Sequence, residues 1–248
     1  MLALITGASA GFGRAIAKRF VKEGHQVILL ARRKERLEEL KDELGEGCVL
    51  SIASDICDTH TIQSALTPYA KDIDLLINNA GLALGVESAQ ECKLEDWEQM
   101  IQTNILGLVK ITHFILPFMV EKSRGHIINI GSIAGSYPYA GGNVYGASKA
   151  FVKQFSLNLR ADLIDKNIRV SNIEPGLCEG SEFSLVRFRG DAQKVEELYK
   201  NSNALRPEDI AESVFWCASL PAHININRIE LMPTSQASAG LKVHKKLP

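Results

Sequence analysis

What the chain lacks narrows it first. Its 248 residues include only five cysteines, Cys48, Cys57, Cys92, Cys178 and Cys217, an odd and scattered set with no Cys-x-x-Cys pair. No disulfide framework or metal site can be read from them, and they are expected to be reduced, small hydrophobic residues of a cytoplasmic protein. Basic residues are not in excess. Lys and Arg number 28 against 29 Asp and Glu, a net charge of −1, so nucleic acid is not an expected partner. No apolar run reaches the ~18 residues of a membrane span; the run nearest that limit, 105–120, is interrupted by Lys110, Thr112, His113 and Pro117. Strand-like sequence begins at Leu2, which leaves no room for a cleaved leader. With no repeat, low-complexity stretch or Pro/Gly/Ser linker, residues 1–248 are expected to form a single domain.

What is present is a regular alternation. Apolar strands are expected at 2–5, 26–30, 48–54, 73–77, 125–131, 169–173 and 224–232. Helical patterns stand between them, at 14–22, 34–44, from 94 onward, at 144–165 and from Pro207. This order predicts an α/β fold, a Rossmann-type doubly wound and mostly parallel sheet with helices on both faces. The first strand runs into Thr6-Gly7-Ala8-Ser9-Ala10-Gly11-Phe12-Gly13 and then a helix. A glycine-rich turn in that place lets backbone approach a pyrophosphate while the helix N-terminus faces its charge. Gly7, Ser9, Gly11, Phe12 and Gly13 are the candidate contacts. The second strand ends on Ala31-Arg32-Arg33, where a ribose 2′-hydroxyl would call for an acid. Two arginines there suit a 2′-phosphate, although they would equally serve as a solvated helix start. Asp55, past the third strand, could hold an adenine amino group or cap the segment after it.

The remaining candidates fall at later strand ends. Asn78-Asn79-Ala80-Gly81 follows the fourth strand and can be a tight structural turn. Asn104 lies amid Ile101, Ile105 and Leu108 and needs polar partners there, either to distort the helix or to join a polar chain. Ser132 closes the fifth strand, at the edge where open α/β folds place their ligands. Tyr145 and Lys149, four residues apart, leave one face of a helix. An ammonium beside a phenol favours the phenolate, letting the tyrosine pass a proton near neutral pH, where a free phenol of pKa about 10 would be inefficient. That spacing by itself is also what a solvated helix face carries. The sixth strand opens on Glu174-Pro175-Gly176. Residues 177–205, with a charged helical piece at 191–201, are expected to form a mobile lid.

Together, Thr6-Gly7-x-x-x-Gly11-x-Gly13, Asn78-Asn79-Ala80-Gly81, Asn104, Ser132, Tyr145-x-x-x-Lys149 and Pro175-Gly176 resemble the short-chain dehydrogenase/reductase family over nearly the whole chain. The stretches 79–85, 142–146, 151–156 and 186–188 are similar to one subgroup, the NADP-dependent 3-hydroxy acid dehydrogenases, which act on L-serine, L-allo-threonine and related acids and reduce malonic semialdehyde. Phe12 stands where the wider family has isoleucine, a departure that this subgroup shares.

The resemblance implies an NADP-dependent oxidoreductase that moves a hydride between nicotinamide and a small 3-hydroxy acid. It implies that Tyr145 exchanges the substrate proton and that Lys149 lowers the tyrosine pKa and binds the nicotinamide ribose. Ser132 would hold the substrate oxygen, and Asn104 a water linking Lys149 to solvent. Asn79, Ala80, Gly81, Pro175 and Gly176 would add cofactor contacts, and the chains would assemble as a homotetramer. A reductase of another substrate class, or a non-catalytic NADP(H)-binding regulator, are the alternatives. Against them stand cations within 177–205, among them Arg187, Arg189 and Lys194, and the intact Tyr145–Lys149 pair. A 3-hydroxy acid brings a carboxylate that must meet donors. Arg187 and Arg189 flank Phe188, so an extended segment would point both arginines one way and a turn would send only one inward. Arg187 is the expected anchor, with Asn143, Tyr139 or backbone amides as the alternatives.

Overall fold

The protein is described by a computed structural model over residues 1–238. Seven strands build one parallel sheet: β1 (Leu2–Thr6), β2 (Gln26–Ala31), β3 (Cys48–Ala53), β4 (Ile73–Asn78), β5 (Gly125–Ile130), β6 (Ile168–Pro175) and β7 (Arg228–Leu231). Their order is β3-β2-β1-β4-β5-β6-β7. A parallel sheet covered on both faces has no wet side, which is why its strands read as continuous apolar runs and not as alternations. Every residue of β1 and of β5 is buried.

Successive residues of a strand point to opposite faces, and the core divides accordingly. Ala3 and Ile5 join α1 (Gly11–Lys22), α2 (Lys34–Leu44) and α9 (Pro207–Ser219) through Ile16, Phe20, Leu37, Leu40, Ile210 and Val214. Leu2 and Leu4 join α3 (Thr59–Leu66), α5 (Leu108–Glu121) and α6 (Asn143–Asp162) through Ile62, Leu66, Ile111, Ile115, Met119 and Leu159. The chain steps outward from β1 to β3, then returns to lay β4 on the other side of β1. That reversal opens a crevice at the strands' C-terminal ends, where ligands bind in sheets of this kind.

Several expectations need correction. Helix α3 has no counterpart among the expected elements; it is eight residues long and is capped by Asp58, whose side chain accepts from the Thr61 amide. The last strand is Arg228–Leu231, shorter than 224–232. The polar tail expected after it lies outside the described residues from 239 onward. The apolar run near residue 105 is not broken at Lys110 or Pro117. Helix α4 (Leu94–Ile101), a π-helical turn (Gln102–Gly107) and α5 form one helical run of 28 residues, Leu94–Glu121, long and apolar enough to cross a membrane by length and composition. Among its buried side chains, Ile111, Ile115 and Met119 belong to the sheet's own core.

Phe20 ties α1 to α9. It is fully buried and meets the Phe215 ring edge-on at 5.3 Å. Phe20→Ala is expected to cost about 3–5 kcal/mol in urea unfolding, and a loss below about 1 kcal/mol would show that α9 does not depend on it.

Candidate functional site

At the crevice lies a cleft of about 1190 Å³. Its floor is built where β1 and β4 end. The amides of Asn79 and Ala80 both donate to Thr6 Oγ1, at 3.0 and 2.9 Å. The Asn79 side-chain amide donates to the carbonyls of Thr6 and Gly7, at 2.9 and 3.2 Å. Asn78 instead turns into the core, donating to Thr112 Oγ1 and Asn129 Oδ1. The turn after β1 needs its glycines. Gly7 sits at φ +68°, and a Cβ on Gly13 would fall 2.4 Å from the Gly7 carbonyl oxygen. Gly7, Ser9, Gly11 and Phe12 line the cleft, with α1 starting at Gly11 behind them, while Gly13 packs beneath the turn. This is the arrangement that suits a pyrophosphate.

Arg32, Arg33 and Asp55 border the same end of the cleft. Arg32 makes no ion pair among the described residues. Arg33 is engaged: its Nε and Nη2 donate to Ser9 Oγ at 3.3 and 3.2 Å, and Nη1 reaches Glu182. Asp55 accepts from the Cys57 amide at 2.9 Å, while the cap of α3 is Asp58 and not Asp55.

At the other end, Ser132, Tyr145 and Lys149 come together, with Pro175 and Gly176 beside them. The Ser132 hydroxyl accepts from the Ala134 amide at 3.1 Å and lies 3.5 Å from the Pro175 carbonyl, to which it can donate. Burial pushes the Tyr145 phenol up to about 12, while a hydrogen bond with Ser132 and the charge of Arg187 pull the other way. Burial pushes Lys149 down to about 8. Its ammonium donates to the Ile130 carbonyl at 2.8 Å and stands 5.9 Å from the centre of the Tyr145 ring. Tyr145 and Lys149 share a helix face, with the lysine bonded to the strand end. Two cations, Lys149 at 5.9 Å and Arg187 at 5.7 Å, flank the Tyr145 ring.

Asn104 sits buried in the π-helical turn and joins a polar chain. Its side chain pairs with the amide and carbonyl of Leu82 at 2.9 and 2.8 Å and donates to Ser148 Oγ at 3.1 Å. Gly81 lies between it and Lys149; a Cβ there would stand 3.3 Å from Asn104 Oδ1 and 3.5 Å from Lys149 Nζ.

Residues 177–205 leave the end of β6 and return to it. The ends pair through the Leu205 amide to the Leu177 carbonyl and the Glu179 amide to the Leu205 carbonyl. Between them lie α7 (Phe183–Arg187) and α8 (Ala192–Tyr199), joined by a contact between Ser184 Oγ and Tyr199 Oη. Phe183 packs on the Tyr145 ring at 5.6 Å. Arg189 adopts φ +54° just past α7, so the segment turns. One arginine accordingly points inward. Arg187 Cζ lies 5.7 Å from the Tyr145 ring centre, and its Nη2 donates to Tyr139 Oη at 2.8 Å. Arg189 turns away to Asp96 and Glu87. Sequence reasoning does not find Glu182 or Arg36, nor the packing of Phe183 on Tyr145, because each gains its place from a partner far along the chain.

The profile of the short chain dehydrogenase family matches residues 1–187. An NADP-dependent 3-hydroxy acid dehydrogenase of Salmonella typhi is 58% identical over 248 residues, covering 99% of this chain and 100% of its own. A serine 3-dehydrogenase of Agrobacterium fabrum is 51% identical over 246 residues, 98% of each chain. A serine dehydrogenase solved in its closed form with NADP+ superposes with a TM-score of 0.95 at 56% identity, over 99% of this chain and 100% of that one. With its glycine turn, Tyr145 and Lys149 all on one cleft, the chain belongs to the short-chain dehydrogenase/reductase family.

Proposed function

We propose that the chain is an NADP-dependent oxidoreductase acting on small 3-hydroxy acids of the L-serine, L-allo-threonine and 3-hydroxypropionate class. The observation that carries this reading is Arg187, a cation 5.7 Å from the Tyr145 ring in a half-buried position. A hydroxyl placed between Ser132 and Tyr145 leaves a carboxylate two carbons away facing that guanidinium, whose fork suits it. Likeness to the dehydrogenases of Salmonella typhi and Agrobacterium fabrum supports the same substrate class and cofactor.

In oxidation, Ser132 orients the substrate hydroxyl and Tyr145 accepts its proton; in reduction the same phenol returns it. Bound NADP supplies the hydride acceptor at its nicotinamide, and the protein's part is to align it. Lys149 would place the nicotinamide ribose, and Asn104 would hold Gly81 and Leu82 in position for it. Gly7, Ser9, Gly11 and Phe12 would take the pyrophosphate side, Arg32 and Arg33 the 2′-phosphate, and Asp55 the adenine, with Asn79, Ala80, Gly81, Pro175 and Gly176 completing the cradle. The acids among the described cleft-lining residues are Asp55 and Glu182, both at the arginine end. No carboxylate among them therefore awaits an amino group beside Tyr145, so the amine of serine is tolerated and not required. Residues 177–205 would act as a lid. A cytoplasmic homotetramer completes the reading; exposed Ile101, Leu106, Phe151 and Leu157 on the helices from α4 to α6 would suit a contact between subunits.

Four outcomes test it. Tyr145→Phe should lower kcat by roughly 10²–10⁴-fold with NADPH affinity nearly intact; near-normal turnover would require another acid. Since the phenol is held up and stays protonated at neutral pH, oxidation of L-serine should rise with pH from about 7 to 10; a falling profile would contradict this. Arg187→Ala removes a charge-assisted contact of about 1.5–3 kcal/mol and should raise KM for L-serine and 3-hydroxypropionate at least tenfold, with NADP affinity unchanged. Equal KM values in mutant and parent would place the carboxylate elsewhere. Arg32→Ala and Arg33→Ala should weaken NADPH binding far more than NADH binding, and equal losses would count against the 2′-phosphate.

A further inference from the structure

Glu182 lies on the segment over the cleft, yet its carboxylate reaches the arginine end. One oxygen meets Arg33 Nη1 at 2.5 Å and the other meets Arg36 Nη1 at 2.8 Å. These two arginines hold Glu182 ionised, below the usual carboxylate range. Arg33 is also turned onto Ser9 of the glycine loop. A side pocket of about 370 Å³ shares Ser9, Gly11 and Glu182 with the main cleft and adds Arg14 and Arg36. Arg14 is committed to Glu43, whereas Arg36 pairs only with Glu182 among the described residues.

We infer that Glu182 is a specificity-determining residue, a lid carboxylate that rivals the cofactor's 2′-phosphate for Arg33 and Arg36. The inference rests on the NADP reading of this end of the cleft. Two anions that share one guanidinium repel each other at close range, so a fixed carboxylate lowers the affinity for a phosphate arriving beside it. NADH lacks that phosphate and does not feel the repulsion. Glu182 thereby tempers the preference that Arg32 and Arg33 create. It also makes Arg36 a third cation of the phosphate site, which acts by taking up part of the carboxylate's charge.

Fluorescence titration of NADPH and NADH binding tests this with two variants of opposite sign. Glu182→Gln keeps the shape of the side chain and removes its charge. It should tighten NADPH binding about three- to tenfold, leave NADH within twofold, and lose most of the gain at high salt, where exposed charges are screened. Arg36→Ala leaves the carboxylate on Arg33 alone and should weaken NADPH several-fold, again sparing NADH. Weaker or unchanged NADPH binding in Glu182→Gln, or equal shifts for both cofactors, overturns the inference, since the residue would then be orienting the arginines or merely holding the segment. A parent protein with no preference for NADPH over NADH would instead overturn the NADP reading itself, and the Arg33→Ala comparison tells the two failures apart.

Discussion

The site depends on one clasp, the hydrogen bonds that residues 79 and 80 make to Thr6 and Gly7. Parallel strands have no hairpin to fix their ends, so the tips of β1 and β4 are set by these side-chain bonds where the winding of the chain reverses. Everything at the cleft is then placed by short steps from that clasp. The glycine turn is pressed onto Asn79, with no room for a Cβ at Gly13. Two residues on, Gly81 fits against Asn104 and Lys149, and Leu82 is held at both backbone groups by Asn104. Asn104 in turn bonds Ser148, which precedes Lys149 on α6. Hydrogen bonds at either end of the short backbone stretch 79–82 thus tie the glycine turn to the helix that carries Tyr145 and Lys149, and Asn104 joins them from the π-helical turn at 102–107.

Charge is distributed over this frame unevenly. A buried ammonium and a buried phenol both resist ionisation, which is why Lys149 is pushed down and Tyr145 up. Neither shift suits proton exchange unless a cation offsets it, and Arg187 is so placed. The segment that carries Arg187 also carries Glu182, five residues earlier, at the opposite end of the cleft. One short helix, α7, therefore lies between the arginines proposed for the cofactor phosphate and the phenol proposed for the substrate proton.

Much of this was legible in the residues. Strands buried on both faces announce themselves as apolar runs, and the glycine spacing after β1 points to a tight turn because it stands between a strand and a helix. Helix geometry puts Tyr145 and Lys149 on one face, but it is their company with the glycine turn, Asn104 and Ser132 that marks the pair as a site. What escaped has a physical reason in each case. Helix α3 is too short to show a period, and its cap, Asp58, was overshadowed by Asp55. The direction of Lys149 is set by the Ile130 carbonyl, nineteen residues back, which no local pattern reveals. The link from Glu182 to Arg33 spans 149 positions and exists only once the chain is folded. The turn at Arg189 left one arginine facing inward, and only the backbone decides which.

The proposed function has the substrate held at three points, its hydroxyl by Ser132 and Tyr145 and its carboxylate by Arg187. The most direct test is a crystal structure of the protein with NADP+ and 3-hydroxypropionate. The hydroxyl should lie within hydrogen-bond distance of both Ser132 Oγ and Tyr145 Oη, with the carboxylate on the Arg187 guanidinium. A substrate bound with its carboxylate turned away from Arg187, or its hydroxyl out of reach of Tyr145, would contradict the account.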